Sequence, residues 1–196
     1  MAGFIMATTT PNYGWPVPTS TDYVKDGATA IEALGDAIDA TVFGLKGIAQ
    51  VVSTVKTDTF TTTSNTYVDV TGLSVTITPT KATSKILVIA QAVVQGAAGA
   101  DNGMGRLMRN STPISVGDAA GSRPPSSFGI DERAVGQSQV VPFLDSPATT
   151  SATTYKLQIR ANSSGFTMCL NRNSNDTDAT TTPRYASSIT VIEVLV

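Results

Sequence analysis

The sequence predicts a mainly β protein. An extended N-terminal arm and a short trimeric coiled-coil helix should precede an antiparallel, jelly-roll-like β-sandwich. Three observations carry this expectation. Ser and Thr make up about a quarter of the 196 residues, and Thr favours strands while Ser favours turns. After Gln50 the apolar residues alternate or gather in short runs bounded by turn residues, with no strand–helix–strand rhythm. Before Gln50, a single stretch repeats its apolar residues at steps of three and four, which is the spacing of a helix seam.

Residues 1–25 have no amphipathic period. Proline fixes its own φ and pushes the preceding residue towards extended geometry, so "PNYGWPVPTSTDY" reads as an arm or a disordered tail. Disordered tails are poor in large rings, yet this segment holds the only Trp, Trp15, together with Tyr13 and Tyr23. Such rings bury much area at low conformational cost. An arm that docks on another protein is therefore the expectation, with Tyr13, Trp15, Pro16, Pro18 and Tyr23 as its contacts.

Residues 26–50 read as a helical stalk. Asp26 and Thr29 are candidate N-caps, and Thr29 with Glu32 has the spacing of a capping box. Ile31, Leu34, Ile38, Thr41, Leu45 and Ile48 follow a coiled-coil period in which Thr41 is the polar member. Gly35, Gly44 and Gly47 each weaken a helix by about 1 kcal/mol relative to Ala, and an isolated helix of this length is marginal in water. The stripe needs a partner surface, either its own domain or sister copies. A trimer held by Ile31, Leu34, Ile38, Leu45 and Ile48 is the expectation.

Residues 51–196 read as the β-sandwich. In 58–80, Val68 and Val70 share one parity while Leu73, Val75 and Ile77 share the other, so a bulge is expected at Gly72. Residues 84–96 are apolar on both parities, as in a strand covered on both faces, the outer cover being either the chain itself or a neighbouring subunit. In 153–161, Tyr155, Leu157 and Ile159 alternate with Lys156, Gln158 and Arg160, so one face should be wet. Residues 165–170 follow an Asn-Ser-Ser-Gly turn and suggest a hairpin with that strand. The final run, 187–196, has Glu193 as its single charge and is expected to be central. Strands at 105–109, 112–116 and 136–144 bring the number to about eight. The segment 171–184 is long for a loop in a compact domain.

Composition removes several functions. Charged residues are 14% of the chain, the net charge is -2, and no basic run is present, which excludes a strong nucleic-acid footprint. No His is present, and Cys169 is the single Cys, which excludes His-dependent catalysis and a disulfide framework. The first residues lack a basic region and a long apolar core, so no signal peptide is expected. The longest apolar run is too short to cross a membrane.

Little catalytic chemistry can be assembled from what is left. Asp131 and Glu132 are adjacent and would point apart on a strand, where a glycosidase needs two convergent carboxylates. Asp176 and Asp178 lie in the polar stretch "NRNSNDTD", which faintly resembles a calcium loop but has Asp176 where Gly is needed and Thr182 where Glu is needed. Cys169, in an apolar strand, is read as an inert thiol. Asn110 and Asn162 match glycosylation sequons. Arg106, Arg109, Arg123 and Arg133 are read as solvated charges or subunit salt bridges, with contact to an anionic glycan as the alternative. No metal and no cofactor is expected, and the chain is read as not an enzyme.

Three stretches resemble one family. "YGWPVPTSTDYVKDGATAIEALGDAID" is similar to the N-terminal anchor segment of tailed-bacteriophage virion proteins, especially fibre-like ones. "VVSTVKTDTFTTTSNTYVDVTGLSVTITPTKATSKILV" and "RLMRNSTPISVGDAAGSR" resemble the β-domain that follows in the same proteins. The resemblance implies a virion surface appendage: residues 1–25 as a virion-anchoring arm, 26–50 as a trimeric stalk and 51–196 as a distal domain. It implies a non-enzymatic homotrimer, attached to tail or capsid proteins and contacting a host-surface receptor or glycan. The alternative within the same family is a capsid decoration or head fibre that stabilises the shell without a specific receptor.

Overall fold

The computed structural model describes residues 8–17, 26–44, 47–97, 102–131 and 135–196. Pro18, Tyr23, Leu45, Glu132 and Arg133 lie outside the described residues. The chain divides into two compact units, Met1–Gly47 and Ile48–Val196.

In the first unit the arm is turned back on itself. Strands β1 (Thr8–Thr9) and β2 (Pro16–Val17) pair antiparallel. Gly14, at φ +67°, takes the left-handed position that closes the turn. Helix α1 (Gly27–Gly44) follows. It starts at Gly27, so Asp26 stands at its N-terminal boundary and Thr29 lies inside the first turn, not at the cap. It ends at Gly44, and Ile48, expected on its seam, instead opens a strand. Gly44 and Gly47 weaken the last turn, and the β-branched run that follows favours extended backbone.

The second unit has two antiparallel sheets. The larger has the order β3 (Ile48–Lys56), β13 (Ser187–Val194), β6 (Lys85–Gly96), β12 (Met168–Leu170) and β4 (Phe60–Thr62), with β10 (Gln137–Asp145) also paired to β6. The smaller has the order β5 (Val68–Ile77), β11 (Thr153–Ala161), β7 (Gly103–Arg109) and β8 (Thr112–Ile114), with β9 (Phe128–Ile130) paired to β7. Leu73, Ile77, Ile86, Val88, Leu107, Leu157, Ile159, Leu170, Ile189 and Val191 form the core between them.

Most period-two expectations appear as faces. In β5, Val70 is buried, the parity then switches, and Leu73, Val75 and Ile77 are buried. Gly72 sits at the switch with φ +80°, and the pairing with β11 slips at the same place. Tyr155, Leu157 and Ile159 are buried while Lys156, Gln158 and Arg160 are half-exposed. The last strand is central, between β3 and β6. The expected hairpin of 153–161 with 165–170 does not form. β11 has β5 on one side and β7 on the other, so no edge remains for β12, which crosses to the larger sheet and pairs with β6 and β4.

Candidate interaction surfaces

The hairpin and helix of the first unit are joined by one directed bond. Trp15 Nε1 donates to Thr41 Oγ1 at 2.9 Å, and Thr41 Oγ1 donates in turn to Ala37 O at 2.8 Å. The polar member of the expected seam therefore accepts an indole N–H from its own chain. Leu34 and Thr41 are half-buried, whereas Ile31 is 65% exposed, Ile38 36% and Val42 57%. The seam is split along its length: one side faces the hairpin and the other is bare. The ring set of the arm divides similarly. Trp15 and Pro16 are half-buried, and Tyr13, 60% exposed, stacks on Trp15 with ring centroids 5.2 Å apart. Trp15 is thus engaged within its own chain, and Tyr13 presents the outward ring.

The two outer faces of the β unit differ in chemistry. On the larger sheet, cross-strand register lines up Val55, Ser188, Gln91 and Val140; then Ser53, Thr190, Ile89 and Pro142; then Val51, Ile192, Leu87 and Leu144. No charge lies in these three rows. Val51, Val55, Val140 and Leu144 are each more than half exposed. Four strands at about 4.8 Å spacing and five residues at about 3.4 Å give this face a flat footprint of about 330 Å². The face is uncharged rather than wholly apolar, since Ser53 and Thr190 pair across its middle and Gln91 bonds Ser138; an exposed patch of this size is often functional. The far end of β6 differs, because the 171–185 segment lies over it: Gln95 Nε2 donates to Ser174 Oγ at 3.3 Å, and both Val93 and Gln95 are buried.

The smaller sheet carries its charges outside. Register places Asp69 beside Gln158, and Gln158 beside Arg106. Arg106 Nε donates to Gln158 Oε1 at 2.8 Å, Gln158 Nε2 to Asp69 Oδ1 at 2.7 Å, and Lys156 Nζ to Asp69 Oδ2 at 2.6 Å. The Arg106 guanidinium lies 3.9 Å from the Tyr67 ring centroid, and that of Arg160 lies 5.8 Å from the same ring. Tyr67 is fixed by its hydroxyl, 2.7 Å from Ser126 Oγ and donating to Pro125 O at 3.1 Å.

Other candidates resolve into structural roles. Asp176 is held by Arg184 Nη2 at 2.6 Å and Arg172 Nη1 at 3.2 Å, so two guanidiniums occupy the carboxylate that a calcium loop would offer. Among the described residues no group of three or more His, Cys, Asp or Glu is placed to hold a metal ion. Burial pushes the thiol of Cys169 up from its ordinary value. Asn110 sits at φ 51° and accepts from Thr154 N at 2.9 Å. Arg109 pairs with buried Asp145 rather than with solvent. Asp131 and Arg123 are exposed.

No family model matches the chain, and no curated protein matches it. Among solved structures, that of infectious bursal disease virus, Gt strain, is similar over 74% of this chain and 42% of its own, at 13% identity and a TM-score of 0.35. The chain spans less than half the length of that protein, and at that distance the likeness carries no functional argument. No described helix is long and apolar enough to cross a membrane.

Proposed function

We propose that the chain is a structural, non-enzymatic protein of a bacteriophage virion. It is a fibre-type surface appendage that assembles as a homotrimer, is attached through its N-terminal unit to a tail or capsid protein, and presents its β unit to the host surface. The observation that carries this reading is the contrast between the two outer faces of the β unit. The apolar face is covered by sister copies; the charged face of the smaller sheet stays in solvent. An uncharged face can meet its own copy without apposing like charges. Its footprint of about 330 Å² is under half of the ~800 Å² per partner in a standard interface; the first unit carries its own bare helix stripe of Ile31, Ile38 and Val42. The buried carboxylates Asp145 and Glu193 are consumed in internal bonds, which supports a structural reading over a catalytic one.

The oligomer test uses Val51→Asp. Val51 is 57% exposed in the single chain, so the change should alter the stability of an isolated copy by less than about 0.5 kcal/mol. In a trimer it buries like charges together. Light scattering should give a trimer mass for the parent chain and a monomer mass for Val51→Asp. A monomeric parent at micromolar concentration overturns the reading and hands the face to a different partner.

The attachment role falls to Tyr13 in this reading, with Trp15 as its internal support. Tyr13→Ala should keep the helix content and the trimer while removing the chain from purified particles. Unchanged incorporation refutes the docking role. Electron microscopy of intact particles separates tail attachment from the capsid alternative.

A further inference from the structure

We propose that Arg106 and Arg160, stacked about Tyr67 on the outer face of the smaller sheet, form a subsite for the carboxylate of an acidic saccharide. This rests on the adhesion reading above and names its ligand class. Three features point to an anionic ligand.

The first is the charge balance. Lys156 pairs with Asp69, Gln158 bridges that carboxylate to Arg106, and Arg160 shares the Tyr67 ring with Arg106, so this face carries three cations and one anion in a chain whose net charge is -2. Both Asp69 oxygens are already taken, one by Lys156 and the other by Gln158. The two guanidiniums lie 3.9 Å and 5.8 Å from one ring centroid, so like charges share one neighbourhood and a bound anion would be attracted by both.

The second is the state of the donors. Arg106 spends Nε on Gln158, and among the described residues no acceptor meets its Nη1 or Nη2. Arg160 spends Nε on Ala161 O at 3.0 Å and Nη2 on Asn162 O at 3.3 Å, and no described acceptor meets its Nη1. The two terminal nitrogens of Arg106 form a fork that matches the two oxygens of a carboxylate.

The third is preorganisation. The Tyr67 ring holds the Arg106 guanidinium at 3.9 Å, Gln158 holds its edge, and Ser126 and Pro125 hold the Tyr67 hydroxyl. Little side-chain entropy is then lost on binding, which favours Arg over a free Lys at this position.

The test is calorimetry on the full trimer with three probes: an oligogalacturonate, a sulfated dextran oligosaccharide and neutral dextran. The expected order is oligogalacturonate first, sulfated dextran weaker and neutral dextran unbound, with affinity falling as salt rises. Arg106→Gln should weaken oligogalacturonate binding at least about tenfold. Arg106→Lys, which keeps the charge and loses the fork, should recover only part of it. Arg123→Gln removes the same charge from an exposed position and should have no effect. Melting temperatures of all variants report folding, and Arg160→Gln gives a second reading of the site should Arg106→Gln melt early. Equal loss with Arg123→Gln, or tighter binding of sulfated than carboxylated chains, overturns the carboxylate subsite. A trimer that adheres to host cells while oligogalacturonate does not bind also overturns it, and leaves the adhesion reading standing. A trimer that neither binds the probes nor adheres to cells overturns both.

Discussion

Asp145→Ala should lower the stability of the β unit by about 3–5 kcal/mol, the range for breaking a buried charged pair. Asp145 ends β10 in the larger sheet and is 4% exposed. It accepts from Tyr155 Oη at 2.6 Å and from Arg109 Nη1 at 2.8 Å and 3.1 Å. Both donors belong to the smaller sheet, where Tyr155 of β11 and Arg109 of β7 are register partners. One carboxylate therefore ties the two sheets together along the edge strand β10. Removing it strands a fully buried hydroxyl and a partly buried guanidinium. Burial first, then the bond to Asp145 and its charge, push the Tyr155 phenol far above its usual range, so it stays a neutral donor at any working pH. Tyr155→Phe removes only one of the two donors and should cost about 1–2 kcal/mol. Urea denaturation gives both values, and their double mutant gives the coupling. A loss under about 1 kcal/mol for Asp145→Ala would mean that the tie is no stronger than a surface ion pair. β10 also carries the exposed Val140 and Leu144, so in the proposed trimer loosening this edge should weaken assembly as well.

Nothing near Asp145 in sequence announces this tie, and the reason is general. Short-range pattern encodes which way a side chain faces. The parity switch around Gly72 was legible because a bulge must flip every following residue to the other face. The wet face of β11 was legible for the same reason, and so was the central position of the last strand. Pairing partners were not legible, since alternation says which face is buried but not which strand lies alongside. The expected hairpin into β12 failed there. The start of β3 was hidden because Ile48 fits both a helix seam and a strand. β9, with three residues, is too short to show any period.

The interaction surfaces were legible to different depths. Arg106 stood out as a basic residue, yet its meeting with Arg160 and Tyr67 depends on the register of three strands. The exposed row through Val51, Ile192, Leu87 and Leu144 could be suspected from a strand apolar on both parities, and its extent needed the sheet order. Trp15 read as an external anchor because of composition. Its bond to Thr41, 26 residues away, has no local signal. The clamp of Arg172 and Arg184 on Asp176 was similarly hidden, because it requires Asn171 at φ 62° and Asp176 at φ 39° to turn the chain back.

Acid should unfold the β unit through Glu193. This carboxylate is fully buried on β13. Thr80 N donates to Oε1 at 2.7 Å, Thr80 Oγ1 to the same atom at 2.8 Å, and Gln50 Nε2 to Oε2 at 2.7 Å. Burial by itself raises the pKa; the donors from Gln50 and Thr80 outweigh it and hold the group at about 2, against an ordinary 4.5. The folded form therefore binds this proton less readily than the unfolded form. Its contribution is fully present above pH 4.5 and is lost as pH falls from there through about 2. The gap corresponds to about 3 kcal/mol, a large part of the stability of a domain this size. Glu193→Gln keeps the shape, and its amide oxygen can still accept from Thr80, but its NH2 then faces the Gln50 Nε2 donor, so it should lose part of that amount at pH 7 and very little more on acidification. Urea midpoints at pH 7, pH 4 and pH 2.5, taken on both proteins, isolate the term by difference. Asp69, whose pKa is also held low by Lys156 and Gln158 against burial, contributes equally to both curves and cancels. Parallel curves for the two proteins would show that Glu193 does not carry the acid sensitivity, and that its bonds to Thr80 and Gln50 do not outweigh its burial.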